Sequence, residues 1–242
     1  METNYILPIE GVSDHMTGEA RERLLNWRLR AAELAAASRE RVYLNGPDVR
    51  QVALTFDDGP DERITPMIAD TLTEHGVKGN FFFVGSKVEQ YPDIVRRIYK
   101  AGHLILGHSY AHDRLTTLTD TELADNFNRT QAAIRCVIGA EPAMYRPPFG
   151  DADERVVRAA DRVGCATILW SLDTLDWSQK EADHIRRNVD TFARRGEIVL
   201  MHSGPGCLET AKALPEMIRD LQRRRLEIVS LSELLPIPAY LG

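Results

Sequence analysis

The stretch VALTFDDGP, Val52 to Pro60, decides how this chain is read. Val52, Ala53, Leu54 and Phe56 suit a buried strand, and Gly59-Pro60 turns the chain away after it. Asp57 and Asp58 fall where that strand runs out. Adjacent carboxylates repel each other, so a pair beside a core costs stability unless positive charge is close. One reading is an aspartate-rich turn, which is common after strands. The other is a site in which one carboxylate binds a cation and its neighbour handles a proton. The rest of the chain decides between them.

Working outward, short apolar runs alternate with amphipathic stretches. The strand-like runs are Val52–Phe56, Asn80–Val84, His103–Leu106, Met144–Arg146, Ala166–Leu172, Ile198–Met201 and Ile228–Ser230. Helical spacing occupies Ile64–His75, Tyr91–Ala101, Asp120–Ile138, Asp153–Val163, Ala182–Arg195 and Thr210–Arg225. Alternation of this kind, with nearly continuous apolar strands, predicts an α/β fold on a parallel sheet. About seven units fit a closed or nearly closed barrel better than an open sheet.

Ahead of that pattern, Gly18 to Val42 has helical spacing. Leu24, Trp27, Ala31 and Leu34 form one stripe, with Leu25, Leu29, Ala32 and Ala36 beside it. The turn at Asn45–Asp48 separates this helix from the first strand. The expected organisation is an N-terminal helical extension over residues 1–45 and a catalytic domain over residues 46–242.

Composition excludes several classes. Thirty-six acidic against 30 basic side chains in 242 residues leave no basic stripe for nucleic acid. Arg223-Arg224-Arg225 closes a predicted helix, where cations suit the dipole. Three cysteines (Cys136, Cys165 and Cys207) form no zinc-type pair or disulfide framework and read as buried free thiols. No apolar window is long enough for a membrane span. METNYILPIEG lacks the basic segment and apolar core of an export signal, which predicts a cytoplasmic protein if Met1 is the natural start. Removal of such a signal would instead imply an extracellular or cell-wall location.

In parallel α/β folds the working groups collect at the C-terminal strand ends. Those positions here carry Asp57 and Asp58, His108 and His112 in GHSYAH, Arg146 and Phe149 in YRPPFG, Asp173, Asp176 and Trp177 in SLDTLDW, and His202. Two imidazoles four residues apart reach one ion when the segment coils, although such a pair alone is weak. Asp58 completes two nitrogens and one oxygen, a set that suits zinc or a related divalent ion with open positions. Asp57 is then placed to take a proton. Arg146 offsets the paired carboxylates and orients Asp57. His202 could protonate a leaving amine, with Asp176 holding its ring. Trp177 offers a wall for a sugar ring, and Asp173 reads as structural support for its loop. His75, His103 and His184 fall outside the cluster.

With these motifs in order, the chain resembles the polysaccharide deacetylases of carbohydrate esterase family four, a group that includes chito-oligosaccharide and peptidoglycan deacetylases. TFDDGP (Thr55–Pro60), HSYAH (His108–His112), RPPFG (Arg146–Gly150), DTLDW (Asp173–Trp177) and LMH (Leu200–His202) carry the likeness. It implies a distorted (β/α) barrel of about seven strands. It also implies Asp57 as catalytic base, Asp58, His108 and His112 as metal ligands, Arg146 as the residue that tunes Asp57, and His202 with Asp176 as the acid pair. Trp177 and Leu200 would line the groove and the acetyl-methyl pocket, and the Phe149 N–H would hold the oxyanion. Tyr is frequent in the family where this chain has Phe149, so any hydroxyl contact is lost.

The resemblance implies a metal-dependent hydrolase that removes N-acetyl groups from chitin oligomers or peptidoglycan. Zinc is the expected ion, with cobalt, nickel or manganese as alternatives. An N-acetylated oligo- or polysaccharide is the expected partner. An O-acetyl esterase on xylan or a related glycan is a second reading, because the same site serves esters. A silent glycan-binding module is a third, opposed by the presence of Asp57, His202 and all three ligands.

Overall fold

The run read as Val52–Phe56 extends one residue further at each end and lies inside a parallel sheet, with partners on both sides. The computed structural model describes residues 5–242. Its strands are β1 (Val42–Tyr43), β2 (Gln51–Asp57), β3 (Asn80–Phe83), β4 (Leu104–Gly107), β5 (Met144–Tyr145), β6 (Ala166–Ile168), β7 (Leu172–Asp173), β8 (Glu197–His202) and β9 (Glu227–Ile228). Its helices are α1 (Gly18–Ala37), α2 (Ile64–Glu74), α3 (Gly85–Gln90), α4 (Pro92–Lys100), α5 (Asp120–Ile138), α6 (Glu154–Arg162), α7 (Ala182–Phe192), α8 (Leu208–Arg223) and α9 (Leu231–Leu234). None of these is long and apolar enough to cross a membrane.

The sheet runs β1-β6-β5-β4-β3-β2-β8-β7, with β9 also on β2, and its named strand pairs are all parallel. This is the expected distorted α/β barrel. Side chains of a strand alternate between faces. Val52, Leu54 and Phe56 therefore join Phe81, Val199 and Met201 against α2 and α8. Ala53 faces the interior with Phe82, Leu106, Ile168 and Leu200. Burying each large apolar side chain contributes about 1.5–3 kcal/mol. The alternation then puts Thr55 and Asp57 on the interior face, so the last residue of β2 points into the mouth of the barrel.

All seven expected runs meet a strand, but Ala166–Leu172 is two strands rather than one. The Arg146 guanidinium donates to the carbonyls of Ile168 (3.2 Å from Nε) and Leu169 (2.9 Å from Nη2), just where β6 ends. Leu169–Ser171 then crosses from β6 near one sheet edge to β7 at the other. Strand β1 and helices α3 and α9 are additions to the sequence reading.

The chain before Asn45 enters the sheet. β1 pairs with β6 at its edge, and Glu10 bridges Leu172. Asp173 N–H donates to Glu10 O at 2.9 Å. On α1, Ala31 and Ala35 are buried and Trp27 and Leu34 pack on the interior cluster. The neighbouring stripe does not pack as a unit: Leu25 is 56% exposed and Leu29 64%. Cys165 is buried as expected and Cys207 half-buried, but Cys136 is exposed on α5.

Candidate active site

Each motif lies at or just past the C-terminal end of a strand, so the barrel gathers them at one mouth. Six register pairs join β2 to β8, and the last sets Asp57 beside His202. Arg146, just after β5, is fully buried. Its Nη1 donates to Asp57 Oδ1 at 2.8 Å and to Thr55 Oγ1 at 2.7 Å. Burial pulls the guanidinium below its ordinary range, and the Asp57 carboxylate pushes it back. An arginine so placed stays charged. Its face also lies over the Phe82 ring, 4.2 Å from the centroid. The positive group demanded by the paired aspartates is therefore present.

Asp58 leaves the strand direction at once, with φ of 71°. Aspartate tolerates the left-handed region better than most residues. Lys87 Nζ donates to the Asp58 carbonyl at 2.7 Å, which helps hold that turn. Asp57 and Asp58 thus point to different neighbours, which lessens their repulsion. Asp58 Oδ1 lies 3.3 Å from His108 Nε2 and 3.0 Å from His112 Nε2. The three donor atoms fall within 4.8 Å of one another.

Two observations show that this triangle fits a cation. Asp58 Oδ1 is buried without a hydrogen-bond partner. His108 Nδ1 lies 2.8 Å from the Arg146 carbonyl. A ring nitrogen facing a carbonyl carries the proton, which leaves Nε2 as a lone pair aimed at the triangle.

The His-x-x-x-His segment coils without forming a helix. Ser109 and His112 both have left-handed φ, 62° and 61°. Asp113 Oδ2 braces the coil, accepting from Ser109 Oγ (3.2 Å), Ala111 N (3.3 Å) and Asn126 Nδ2 (2.6 Å). Sequence reading missed Asp113 and Asn126, because neither belongs to a spacing pattern.

On the other side, His202 Nδ1 lies 2.7 Å from Asp176 Oδ1. The second Asp176 oxygen accepts from His202 N (2.9 Å) and from Thr210 Oγ1 (2.7 Å), another residue that no motif marks. Burial disfavours the imidazolium, yet Asp176 at contact outweighs it and, with Asp58 and Asp57, holds His202 up at about 10. Cys207 lies close by, but burial and then Asp176 and Asp58 push its thiol up to about 12, so it remains protonated.

Phe149 (54% exposed) and Trp177 (47% exposed) present aromatic surface to solvent. Phe149 has φ of 61°, and its ring meets His112 edge-on with centroids 4.7 Å apart. Trp177 Nε1 donates to Asp173 Oδ1 at 3.3 Å, and Leu175 N donates to the same oxygen at 2.8 Å. Asp173 thus holds its loop from within. Leu200 is buried in the interior cluster, paired with Thr55 in the ladder. His103 bonds to Gly79 N and Thr73 Oγ1, His184 to the Val12 carbonyl, and His75 to the Thr71 carbonyl. All three lie apart from the mouth.

A family model described as polysaccharide deacetylase matches residues 45–168. A peptidoglycan-N-acetylglucosamine deacetylase of Bacillus cereus is 37% identical over 183 residues, 75% of this chain and 66% of that protein. A chitooligosaccharide deacetylase of Bradyrhizobium sp. is 35% identical over 207 residues, 80% of this chain and 94% of that protein. The solved Bc1960 peptidoglycan N-acetylglucosamine deacetylase, in complex with a naphthyl N-hydroxybenzamide, matches with a TM-score of 0.82 at 33% identity. That match covers 85% of this chain and 98% of that one. The chain belongs to the polysaccharide deacetylase family. It spans 66% of the Bacillus cereus relative's length and 39% of the Listeria monocytogenes deacetylase PgdA.

Proposed function

We propose that this chain is a metal-dependent hydrolase that removes N-acetyl groups from amino-sugar glycans, in the manner that the names of its relatives describe. One observation carries the reading. The β2–β8 register sets Asp57 beside His202, at a mouth that also holds the Asp58, His108 and His112 donors.

Asp58, His108 and His112 would hold the ion, and two imidazoles with one carboxylate suit zinc best among the common divalent ions. When bound, such an ion polarises a carbonyl and makes water more acidic. Asp57 takes a proton from the attacking water, and Arg146 keeps that carboxylate oriented. The Phe149 N–H donates to the carbonyl oxygen as charge gathers there, a contribution of about 3–4 kcal/mol for one donor. His202, held charged by Asp176, gives its proton to the departing amine. Trp177 presents a face for a sugar ring, and Leu200 forms the apolar floor for the acetyl methyl.

The test is acetate release from a short N-acetylglucosamine oligomer by protein stripped with chelator and reloaded with zinc. Release that returns only with the ion is expected. A metal-loaded protein that frees acetate from acetyl esters but never from N-acetyl sugars would sink the amidase reading.

A further inference from the structure

Trp27 belongs to α1, ahead of the 45–168 span that the family model matches, yet it touches a loop of the site. Its indole N–H donates to the Gly150 carbonyl at 2.9 Å. Its ring stacks on Trp170, with centroids 4.7 Å and planes 23° apart. Trp170 in turn flanks the Arg146 guanidinium, whose Cζ is 5.5 Å from the ring centroid. Gly150 has φ of 62°, and a Cβ there would fall 2.5 Å from Trp27 Cζ2 and 2.8 Å from Trp170 Cη2. The two indoles therefore occupy the space that any larger residue would need.

The preceding residue, Phe149, is also left-handed, which costs a bulky side chain energy unless the surroundings enforce it. Pro147 and Pro148 have no N–H. The Gly150 N–H donates to the Pro147 carbonyl at 3.1 Å. The amide that this turn can present to a substrate is thus that of Phe149.

We propose that Trp27 is a positioning residue for the Phe149 amide. Its N–H fixes the peptide plane after Gly150, and its ring, backed by Trp170, stops the Phe149–Gly150 pair from relaxing to ordinary φ. The N-terminal helix is thereby a working part of the site. This rests on the deacetylase reading, in which the Phe149 amide donates to the reacting carbonyl oxygen.

The experiment compares Trp27→Phe, which keeps a stacked ring and drops the donor, with Trp27→Ala, which drops both, in the zinc-loaded full chain. Acetate release should show kcat falling about 5-fold in the first and about 100-fold in the second, with KM and zinc affinity within about 2-fold of the parent. Leu29→Ala, on the exposed side of the same helix, should stay at the parent rate. An unchanged kcat in either folded Trp27 variant overturns the proposal. So does a loss that appears in KM or zinc affinity instead. Hydrogen–deuterium exchange on the resting protein needs no turnover. The Gly150 and Asp151 amides, which donate to the Pro147 and Pro148 carbonyls, should exchange about 10-fold faster in Trp27→Phe, and unchanged exchange overturns the tether. A parent protein that releases no acetate sinks the deacetylase reading alone, and the exchange measurement still decides what Trp27 holds.

Discussion

Arg146 Nη1 lies 2.8 Å from Asp57 Oδ1, and the guanidinium is closed off from solvent. Desolvating such a pair costs several kcal/mol per ion, and only close geometry with further hydrogen bonds offsets it. Thr55 Oγ1 and the Ile168 and Leu169 carbonyls supply those bonds. One side chain therefore holds the Asp57 carboxylate, binds the carbonyls where β6 ends and ties β5 to β2.

Lysine at position 146 would keep the charge without the fork. Arg146→Lys should lose about 1–3 kcal/mol of stability for each buried carbonyl, Ile168 and Leu169, that the single ammonium leaves without a donor. Chemical denaturation reads this directly, and acetate release should fall at least about 100-fold as Asp57 drifts. A variant with the parent's denaturation midpoint would show that charge alone matters here.

The His202–Asp176 contact has a pH signature. His202 is held at about 10 against an ordinary 6.5, with burial opposing and Asp176 prevailing. A raised histidine contributes stability that is complete below about 6.5 and is lost as pH rises through about 10. Asp176→Asn should bring the His202 titration down, and NMR of the ring protons would follow it. The alkaline limb of the rate profile should move to lower pH with it. An unmoved His202 titration would mean that Asp57 and Asp58, not Asp176, keep the ring charged.

Asp173 has the opposite sign. Burial raises its carboxyl from 3.8 to about 6, with the Leu175 N–H pulling against it. Between those values the folded state binds the proton and the unfolded chain does not, so this group adds stability as pH falls through about 6. Asp173→Asn lacks that gain. The stability difference between parent and variant should shift in the parent's favour from pH 7 to pH 5, measured by urea denaturation. A constant difference across that range would show that Asp173 stays ionised in the fold.

The motif residues were legible because each stands where an apolar run ends, and a parallel α/β topology sends all such ends to one mouth. The neighbour relation of Asp57 and His202 was not legible, since it depends on the β2–β8 register between distant strands. The break after Ile168 was hidden because Leu169 and Trp170 are as apolar as the strand before them. The carbonyls there are bound by a side chain from elsewhere, Arg146. Val42–Tyr43 is too short to show a period. On α1, either of two adjacent stripes could have packed inward. Trp27 stacking on Trp170 selects its own stripe and leaves Leu25 and Leu29 to solvent.

Asp113 gives the last prediction. His112 and Ser109 sit in left-handed backbone, a conformation that costs energy and needs support. Asp113 Oδ2 supplies it by gathering Ser109 Oγ, Ala111 N and Asn126 Nδ2, and Ser109 Oγ accepts in return from Asp113 N at 2.8 Å. Outer residues that orient ligands typically control affinity by about 10- to 100-fold. Asp113→Ala should lower zinc affinity by that factor, measured by competition against a chelating dye. The metal-free protein should also lose about 1–3 kcal/mol of stability for each buried donor, Ser109 Oγ and Asn126 Nδ2, that Asp113 no longer satisfies. Equal zinc affinity in the two proteins would mean that the coil holds His112 in place unaided, and that the Asp113 contacts do not govern the ligand.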